Sequence, residues 1–354
     1  MKILIDIGHP AHVHYFRNLT KLMVDKGHEI LFTCRDKEVT ISLLEYYNFN
    51  YICLGKPYKS KLGKLVGLFY FTLRIFIISL KYKPDFFLNA SIYSAIVSWL
   101  KRKPHISLED TFNMEQVSLY LPFTSVVLTG DYNHILLGKK EIKYNGYQEL
   151  LYLHPNYFQA DKNVKEELGI YGTQKYFIVR FVSWNASHDF GHKGLNENQK
   201  HQIIQHLKKY GKVFISSETN LQKDLEQFNF PLAPHKLHDA LCFADLYIGE
   251  GATMASECAM LGTPAIYLNT LEAGSINDQE NKGLLYHFRS FDGVLGKIDE
   301  ILSDPDFKNE TIRKKNTMLT NKIDVTAFLV WFVENYPQSF KIMKENPEYQ
   351  YNFK

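Results

Sequence analysis

The sequence predicts an α/β protein with two domains, each built around a sheet of parallel strands. Three observations predict this fold class. The chain has 354 residues, which suits two domains of roughly 150 to 200 residues better than one. Short β-rich runs alternate with segments of helical periodicity in both halves. In residues 2–33, and again in residues 244–269, a strand is followed by a glycine-containing turn, a helix and a second strand.

The composition is that of a folded protein with a sizeable core. Hydrophobic residues make up 45% of the chain and charged residues 22%. The net charge of +3 is too small to indicate nucleic-acid binding. The start of the chain predicts a first strand rather than a signal peptide, and four cysteines without paired spacing predict neither a zinc site nor disulfides. We therefore expect a cytoplasmic protein with reduced cysteines.

The first predicted element is a strand over Lys2–Ile7, followed by a loop that contains His9, His12 and His14. A helix from about Tyr15 and a second strand complete a parallel β-α-β unit, so the loop lies where open α/β sheets bind ligands. A histidine there can exchange a proton near neutral pH, although a loop histidine is also often plain polar surface. We predict no metal site, because no carboxylate or cysteine in the loop completes a ligand set.

Residues 56–84 combine basic character with a long apolar run. Its basic residues are Lys56, Lys59, Lys61, Lys64, Arg74, Lys81 and Lys83, and the segment has no acidic residue. The apolar part, Leu65–Leu80, is shorter than the ~20 residues that span a bilayer, so we expect no transmembrane helix. Two alternatives stay open: a mostly buried helix of the first domain, or a helix lying on an anionic membrane surface.

Two adjacent carboxylates, Glu109 and Asp110, follow a predicted strand over residues 104–108. They are expected at the same carboxyl edge as the histidine loop. Such a pair can supply a general base or bind the hydroxyl groups of an acceptor molecule. The alternative is that Asp110 or Thr111 only caps the next helix.

The second half repeats this arrangement after a linker region over residues 130–155. A strand over residues 175–182 leads into a polar loop at the carboxyl edge of the second sheet. The residues expected to approach a phosphate group there are Arg180, Ser183, Asn185 and His188. Arg180 lies inside the strand, so pairing with a buried acid is its alternative role.

Residues 244–269 form the most informative stretch. Gly249-Glu250-Gly251 separates a strand from a helix that ends at Gly262. A glycine turn at the start of a helix presents backbone N–H groups and the positive end of the helix dipole, which suit a phosphate. Glu257 lies about one turn further along, where its carboxylate can accept hydrogen bonds from ribose hydroxyls.

The pattern of Gly251, Glu257, Gly262 and Pro264 resembles the nucleotide-diphosphate segment of GT-B glycosyltransferases and of the related UDP-N-acetylglucosamine 2-epimerases. The resemblance implies that Glu257 holds the ribose and that the backbone around Leu237 contacts the base. The residues that it implies for the diphosphate are Gly251, Ala252 and Thr253.

The amino-terminal run G-H-P-A-H-V, with K-G-H-E-I-L-F after the next helix, is similar to the start of the MurG family of N-acetylglucosaminyltransferases. The resemblance matches His12-Val13 to a His-Val pair and Glu109 to a glutamate of that family. Pro10 and Ala11 replace glycines, so the loop is stiffer here. The same run also resembles the opening of an uncharacterised prokaryotic family of unknown function placed near these enzymes.

Two later segments extend the resemblance. Gln279 and Asn281 match a MurG segment that contacts the hydroxyls of the donor sugar, and a plain solvated loop is the alternative. The apolar and aromatic positions in Ile323–Tyr336 correspond to the last helix of GT-B folds, which crosses back onto the first domain. Residues 346–354 are predicted to be a loose polar tail.

Together these patterns predict a GT-B fold with two Rossmann-like, doubly wound parallel-sheet domains facing a central cleft. The expected domains are residues 1–155, joined by a helix over 323–340, and residues 156–322. The leading functional hypothesis is cofactor-free and metal-independent transfer of a sugar from a UDP-sugar to a saccharide acceptor in surface polysaccharide synthesis. A lipid-linked acceptor at the inner face of the cell membrane is one candidate, with His12, Glu109 or Asp110 as the base. The alternatives are a UDP-sugar 2-epimerase or hydrolase, and a non-catalytic nucleotide-sugar-binding protein.

Overall fold

The computed structural model describes residues 1–58, 60–111, 113–182, 194–218 and 220–354. The chain forms two compact units. The first contains Met1–Tyr157 together with Lys322–Lys354, and the second contains Phe158–Asn321.

The first unit is built on a parallel sheet of seven strands in the order β3-β2-β1-β4-β5-β6-β7. Its strands are β1 (Lys2–Ile7), β2 (Glu29–Cys34), β3 (Tyr51–Cys53), β4 (Phe86–Leu88), β5 (His105–Glu109), β6 (Val126–Gly130) and β7 (Glu141–Tyr144). The helices between and after them are α1 (Pro10–Asp25), α2 (Thr40–Tyr46), α3 (Lys61–Tyr82), α4 (Ile92–Lys101), α5 (Met114–Tyr120) and α6 (Leu150–Leu153). The strand order reverses between β1 and β4, and the expected ligand-binding crevice of such a sheet lies at their carboxyl ends.

The second unit has a smaller parallel sheet of five strands in the order β12-β11-β10-β8-β9. Its strands are β8 (Tyr176–Phe181), β9 (Lys212–Ser217), β10 (Leu246–Gly249), β11 (Ala265–Leu268) and β12 (Tyr286–Phe288). Its helices are α7 (Val164–Glu167), α8 (Glu197–Leu207), α9 (Leu237–Phe243), α10 (Ala252–Leu261), α11 (Gly274–Asn281), α12 (Val294–Ser303) and α13 (Phe307–Leu319). Here the order reverses between β8 and β10, so the corresponding crevice lies at the ends of these two strands.

The end of the chain returns to the first unit through α14 (Val325–Glu334), α15 (Gln338–Glu345) and a short 3₁₀ helix over Pro347–Phe353. Phe328 of α14 is fully buried, and the Thr326 hydroxyl donates to the carbonyl of Leu151 over 2.8 Å. The predicted loose tail is wrong, because Tyr349 stacks on Trp331 with ring centroids 4.8 Å apart. Aromatic contacts supply the order that its polar sequence did not indicate.

Two predicted loops are helices. Helix α1 begins at Pro10, not near Tyr15, so His12 and His14 lie on its first two turns. Proline suits this first helical position because its fixed φ is already helical and its missing N–H is not needed there. Residues 274–281 form α11 and not a solvated loop.

Helix α3 is longer than its apolar core suggested. It extends over 22 residues, and within the described chain its segment Leu62–Tyr82 is the one helix long and apolar enough to cross a membrane. However, Phe71 and Ile75 are buried against Leu4 and Phe87 of the central strands. Packing on the sheet occupies only part of this helix, because 22% of its most apolar window is buried inside the structure.

Candidate functional site

At the crevice of the first unit, a buried ion pair joins the central strands. Asp6 of β1 accepts two hydrogen bonds from Nη1 of Arg35, over 2.6 and 2.7 Å, and a third from Thr33 over 2.8 Å. The hydroxyl of Ser91 also donates to this carboxylate. Because every oxygen of the buried charge is paired, the cluster forms a rigid base beneath the residues above it.

His12 lies directly beside this cluster. Its Nδ1 accepts hydrogen bonds from the side-chain amide of Asn89 over 2.8 Å and from the backbone N–H of Gly8 over 3.3 Å. Burial, followed by the neighbouring cationic groups of His9 and Arg35, holds the pKa of His12 well below its usual value. In this arrangement Nδ1 is already engaged, so the predicted role of His12 as a base is not supported by the geometry.

The other two histidines have local partners. His9 caps α1, with its Nδ1 accepting from the N–H of Ala11 over 3.2 Å. His14 is buried, and its ring stacks on Tyr152 at 5.6 Å. His14 therefore contributes to the core of the first unit, whereas His9 stays at the edge of the crevice, 6.1 Å from the His12 ring.

Asp110 follows β5 and is only partly buried. One of its carboxylate oxygens accepts a hydrogen bond of 2.6 Å from the hydroxyl of Tyr15 on α1. Burial and the nearby charge of Glu109 raise the pKa of Asp110 to about 6, although the Tyr15 hydrogen bond opposes the shift. A carboxylate with such a pKa can accept a proton near neutral pH, and the Tyr15 ring lies 5.5 Å from that of His12.

Glu109, in contrast, is 4% exposed and already well bonded. Its Oε1 accepts from the N–H and the hydroxyl of Thr111, over 3.1 and 3.0 Å, and its Oε2 accepts from Tyr120 over 2.5 Å. The following helix α5 is capped by Asn113, not by Asp110 or Thr111. The predicted base role therefore fits Asp110 better than Glu109, whose contacts order the turn after β5.

Sequence reasoning missed several members of this crevice. Asn89 was visible only as a polar residue at a strand end, and Tyr15 only as part of a helix. The Asp6–Arg35 pair joins residues that are 29 positions apart, one within β1 and the other directly after β2, so sequence spacing does not indicate it. A polar residue in an otherwise apolar strand, such as Asp6, is the one feature that could have indicated it.

In the second unit, Gly251 precedes the first residue of α10. The first turn of this helix contains Ala252 and Thr253 and no acidic residue. A side chain at Gly251 would meet no neighbouring atom closer than 3.5 Å, whereas one at Gly249 would come within 2.2 Å of the Tyr247 hydroxyl. Gly249 thus serves close packing, and Gly251 puts no side chain at the helix start, where N–H groups without partners in the helix are found.

Glu250, between these glycines, was not predicted to have a role. Its buried carboxylate accepts from the N–H of Val182 over 3.2 Å and from the N–H of Leu195 over 2.7 Å. It thereby joins the two described ends of the polar loop after β8. The predicted phosphate-binding residues Ser183, Asn185 and His188 lie outside the described residues.

Arg180 pairs with an acidic residue, although the predicted alternative was a buried one. Its guanidinium donates to Ser216 and to the carboxylate of Glu218, both over 2.7 Å. The pair is only partly buried, at the carboxyl edge of β8 and β9. Contact with a phosphate stays a prediction for this residue.

Glu257 lies on the second turn of α10 and is 4% exposed. Its carboxylate is 3.0 Å from Nε2 of His238, a buried residue of α9. Leu237, at the start of α9, is partly exposed. The ribose contact of Glu257 and the base contact of Leu237 stay predictions, and the former now requires a carboxylate shared with His238.

The two predicted sugar-contacting residues of α11 differ sharply in exposure. Asn281 is exposed at the end of the helix. Gln279 is fully buried, and its amide N–H donates to the Ser256 hydroxyl over 2.6 Å, which joins α11 to α10. Within the described chain its Oε1 has no hydrogen-bond partner. In this arrangement Gln279 is closed to a sugar.

The described residues contain no group of three or more His, Cys, Asp or Glu side chains placed to hold a metal ion. The four cysteines are free thiols, and two of them, Cys34 and Cys258, are buried.

Comparison with known proteins places the chain in a family. Residues 1–336 match the family described as "Protein of unknown function (DUF354)". The chain belongs to this family. An uncharacterised protein of Methanocaldococcus jannaschii is 28% identical over 283 residues, which cover 75% of this chain and 81% of the relative.

Solved structures confirm the fold class. The S. aureus MnaA–UDP complex matches with a TM-score of 0.67 and 10% identity, over 96% of this chain and 97% of the other. The UDP-GlcNAc 2-epimerase from Neisseria meningitidis bound to UDP-GlcNAc matches at 0.61 and 11%, over 88% and 94%. The spinosyn rhamnosyltransferase SpnG with thymidine diphosphate matches at 0.61 and 12%, over 94% and 100%. The protein therefore has the predicted GT-B fold of two Rossmann-like, parallel-sheet domains.

Proposed function

We propose that this protein transfers a sugar from a UDP-sugar to a hydroxyl group of a saccharide acceptor. The observation that carries the proposal is the start of α10, where a glycine, Gly251, precedes the first turn of the helix at the switch point of the second sheet. Such a position suits a diphosphate. Proteins of the same fold are described in complex with UDP, UDP-GlcNAc and thymidine diphosphate, which supports a nucleotide-sugar donor.

In the proposed reaction, Asp110 accepts the proton of the acceptor hydroxyl. The oxygen then forms a bond to the anomeric carbon of the donor while the bond between that carbon and the diphosphate oxygen breaks. The electron pair leaves on the diphosphate, and the positive end of the α10 dipole stabilises the added charge. None of these steps requires a group beyond the two substrates and the side chains and backbone described above.

The first test is a thermal-shift panel with UDP, GDP, CMP and several UDP-sugars. A ligand that binds only the folded state stabilises it, by about 2.7 kcal/mol at a hundred times its Kd. We expect UDP and one UDP-sugar to raise the Tm selectively, and Gly251→Ala to reduce that shift. No response to any nucleotide would refute the proposal.

The reaction itself is then tested by release of UDP with and without saccharide acceptors. Release that depends on an acceptor supports transfer. Conversion of UDP-GlcNAc without an acceptor would show a 2-epimerase or hydrolase instead. Binding without any turnover would show a non-catalytic nucleotide-sugar-binding protein.

We also propose that the outer face of α3 binds an anionic membrane surface. This face consists of exposed apolar residues: Leu62, Leu65, Val66, Phe69, Leu73, Ile77 and Leu80. The most exposed are Leu62, at 73% of its surface, and Phe69, at 71%. They follow helical spacing opposite the buried stripe of Phe71 and Ile75. Trp99 and Leu100, at the end of the neighbouring α4, are exposed as well.

The charges around this face favour an anionic lipid surface over an apolar protein partner. Lys56, Lys64 and Lys81 are exposed, and residues 56–84 contain no acidic residue. Basic residues beside an apolar helix face attract the anionic lipids of the cytoplasmic leaflet, each contributing about 1 kcal/mol. These charges support our proposal that the protein acts at the inner face of the cell membrane, with a lipid-linked saccharide as one candidate acceptor.

Sedimentation with lipid vesicles tests the membrane proposal. We expect binding to vesicles that contain phosphatidylglycerol and little binding to pure phosphatidylcholine. The double substitution Phe69→Ser with Leu73→Ser should abolish binding, whereas Tyr171→Ser, which changes an exposed apolar residue of the second unit, should not. Equal binding by all variants, or concentration-dependent self-association without vesicle binding, would contradict the proposal.

A further inference from the structure

Asn89 is held in an unusual backbone conformation at the switch point of the first sheet. It follows β4 with φ at +94°, a region that favours glycine, yet it carries a fully buried side chain. A non-glycine residue in this region is uncommon and persists where the surroundings specify it. The retained side chain therefore points to a role for its amide.

The orientation of that amide follows from two neighbours. The N–H of Ala90 donates to Oδ1 of Asn89 over 2.9 Å, and Nδ2 of Asn89 donates to the carbonyl of Asp6 over 2.7 Å. If the amide were inverted, its NH₂ group would face the N–H of Ala90, and its oxygen would face the carbonyl oxygen of Asp6. The atom of Asn89 that lies 2.8 Å from Nδ1 of His12 is therefore the donor Nδ2.

A donor at this position determines the tautomer of His12. Nδ1 accepts from Asn89 and also faces the N–H of Gly8, so it carries no proton, and the single proton of the neutral ring is on Nε2. The charged and titratable groups around the ring are His9, Arg35, Lys37 and Tyr15. The positive charges of Arg35 and Lys37, and of His9 when it is protonated, further disfavour a second proton on the His12 ring.

We propose that Asn89 is a positioning residue that keeps His12 as the neutral Nε2–H tautomer, so that His12 donates a hydrogen bond to a substrate oxygen and does not act as the base. The inference rests on the proposed function for the substrate, and it leaves proton acceptance to Asp110. The same crevice then contains a neutral donor and a separate proton acceptor, linked through Tyr15.

The tautomer can be measured in the ligand-free full-length protein. Long-range ¹H–¹⁵N NMR of histidine-labelled protein separates protonated from unprotonated ring nitrogens, and the signals missing in His12→Gln assign His12. We expect an unprotonated Nδ1 and a protonated Nε2 that do not titrate between pH 8 and pH 5. A protonated Nδ1, or a titration near pH 6.5, would overturn the inference.

Two substitutions test the role of Asn89 itself. Asn89→Asp replaces the donor by a carboxylate, which should move the proton to Nδ1 and raise the pKa of His12 by more than about one unit. Asn89→Gly is compatible with the positive φ at this position, so it provides a second test if Asn89→Asp does not fold. It should make the Nδ1–H tautomer a measurable fraction, and an unchanged tautomer would show that the Gly8 N–H alone is sufficient and that Asn89 is not needed.

The donor role is tested by rescue. A glutamine can offer an N–H in place of Nε2–H but cannot act as a base, and a phenylalanine offers neither. Once UDP release is measured, His12→Gln should lose less activity than His12→Phe, and equal losses would contradict the donor role. The NMR result does not depend on any nucleotide, so failure of the thermal-shift panel would refute the proposed function without deciding the tautomer.

Discussion

At the scale of single residues, Asp110 shows a conflict between chemistry and stability. Burial and the charge of Glu109 raise its pKa to about 6, which makes it suitable as a base near neutral pH. The same shift makes ionised Asp110 unfavourable in the folded state. Because the pKa of Asp110 is higher in the folded state than in the unfolded state, protonation of Asp110 favours the folded state. This contribution to the free energy of unfolding is complete below about pH 4 and is lost as the pH rises through 6.

We predict that Asp110→Asn stabilises the protein at pH 8 by about 3 kcal/mol and has little effect at pH 4. Asparagine can still accept the hydrogen bond of Tyr15. The same variant should lower transfer activity by about 10² to 10⁴, since it removes the base. Urea unfolding at the two pH values measures the first effect, with the exposed Asp25→Asn as the control. A variant that is less stable than the wild type at pH 8 would contradict the assigned direction of the pKa shift.

At the scale of elements, the turn between β10 and α10 separates packing from binding. Gly249 ends the strand, where a side chain would collide with Tyr247 and with Cβ of Arg180 at 2.7 Å. Gly251, two residues later, has φ at −95° and only ordinary contacts around it. The two positions therefore differ in why they contain glycine: packing requires it at Gly249, whereas at Gly251 the surrounding atoms would also allow a larger residue.

We predict that two alanine substitutions in this turn affect different properties, one the stability of the protein and the other its binding of UDP. Gly249→Ala should destabilise the protein by about 1 to 3 kcal/mol because of overpacking. Gly251→Ala should leave the Tm nearly unchanged, since its backbone conformation is open to alanine, but should weaken UDP binding by placing a methyl group at the helix start. Thermal unfolding and calorimetric titration of both variants check this. If Gly251→Ala binds UDP as the wild type does, α10 is not the diphosphate site.

At the scale of the whole molecule, the first unit needs both ends of the chain. Residues 322–354 pack with residues 1–157, and the Ile323 N–H donates to the carbonyl of Asn145 over 3.1 Å. Phe328 lies within an aromatic cluster with Phe332 and Phe353, whose ring centroids are each 5.8 Å away. The packing of the first unit is therefore completed only when the last helices are present.

We predict that Phe328→Ala destabilises the first unit by about 3 to 5 kcal/mol through loss of buried surface and a cavity. Hydrogen exchange should increase in residues 1–157, with peptides of residues 158–321 as the internal reference. The control Trp99→Ala removes an exposed aromatic residue of the same unit and should change stability by less than about 0.5 kcal/mol. Equal exchange in wild type and Phe328→Ala would contradict this account.

The sequence predicted most of the strands and placed the polar motifs at their carboxyl ends, but it put the start of α1 five residues late. Pro10 was interpreted as stiffening a loop, whereas in the structure it begins the helix and turns His14 into the core. Gln279 was matched to a sugar-binding position, but the same segment folds as α11 and buries that side chain. In both cases the direction of a side chain depends on elements that are distant in the sequence.

The sequence by itself determined the fold class, because strand and helix periodicities, glycine turns and the parallel order of elements are local properties. Only the tertiary structure decided which polar groups meet. Asn89 reaches His12 across 77 residues, and Tyr15 reaches Asp110 across 95. A hydrogen bond requires a donor and an acceptor about 3 Å apart, and the packing of the sheet and its helices sets that distance. The proton on His12 and the pKa of Asp110 therefore belong to the folded protein and not to either residue alone.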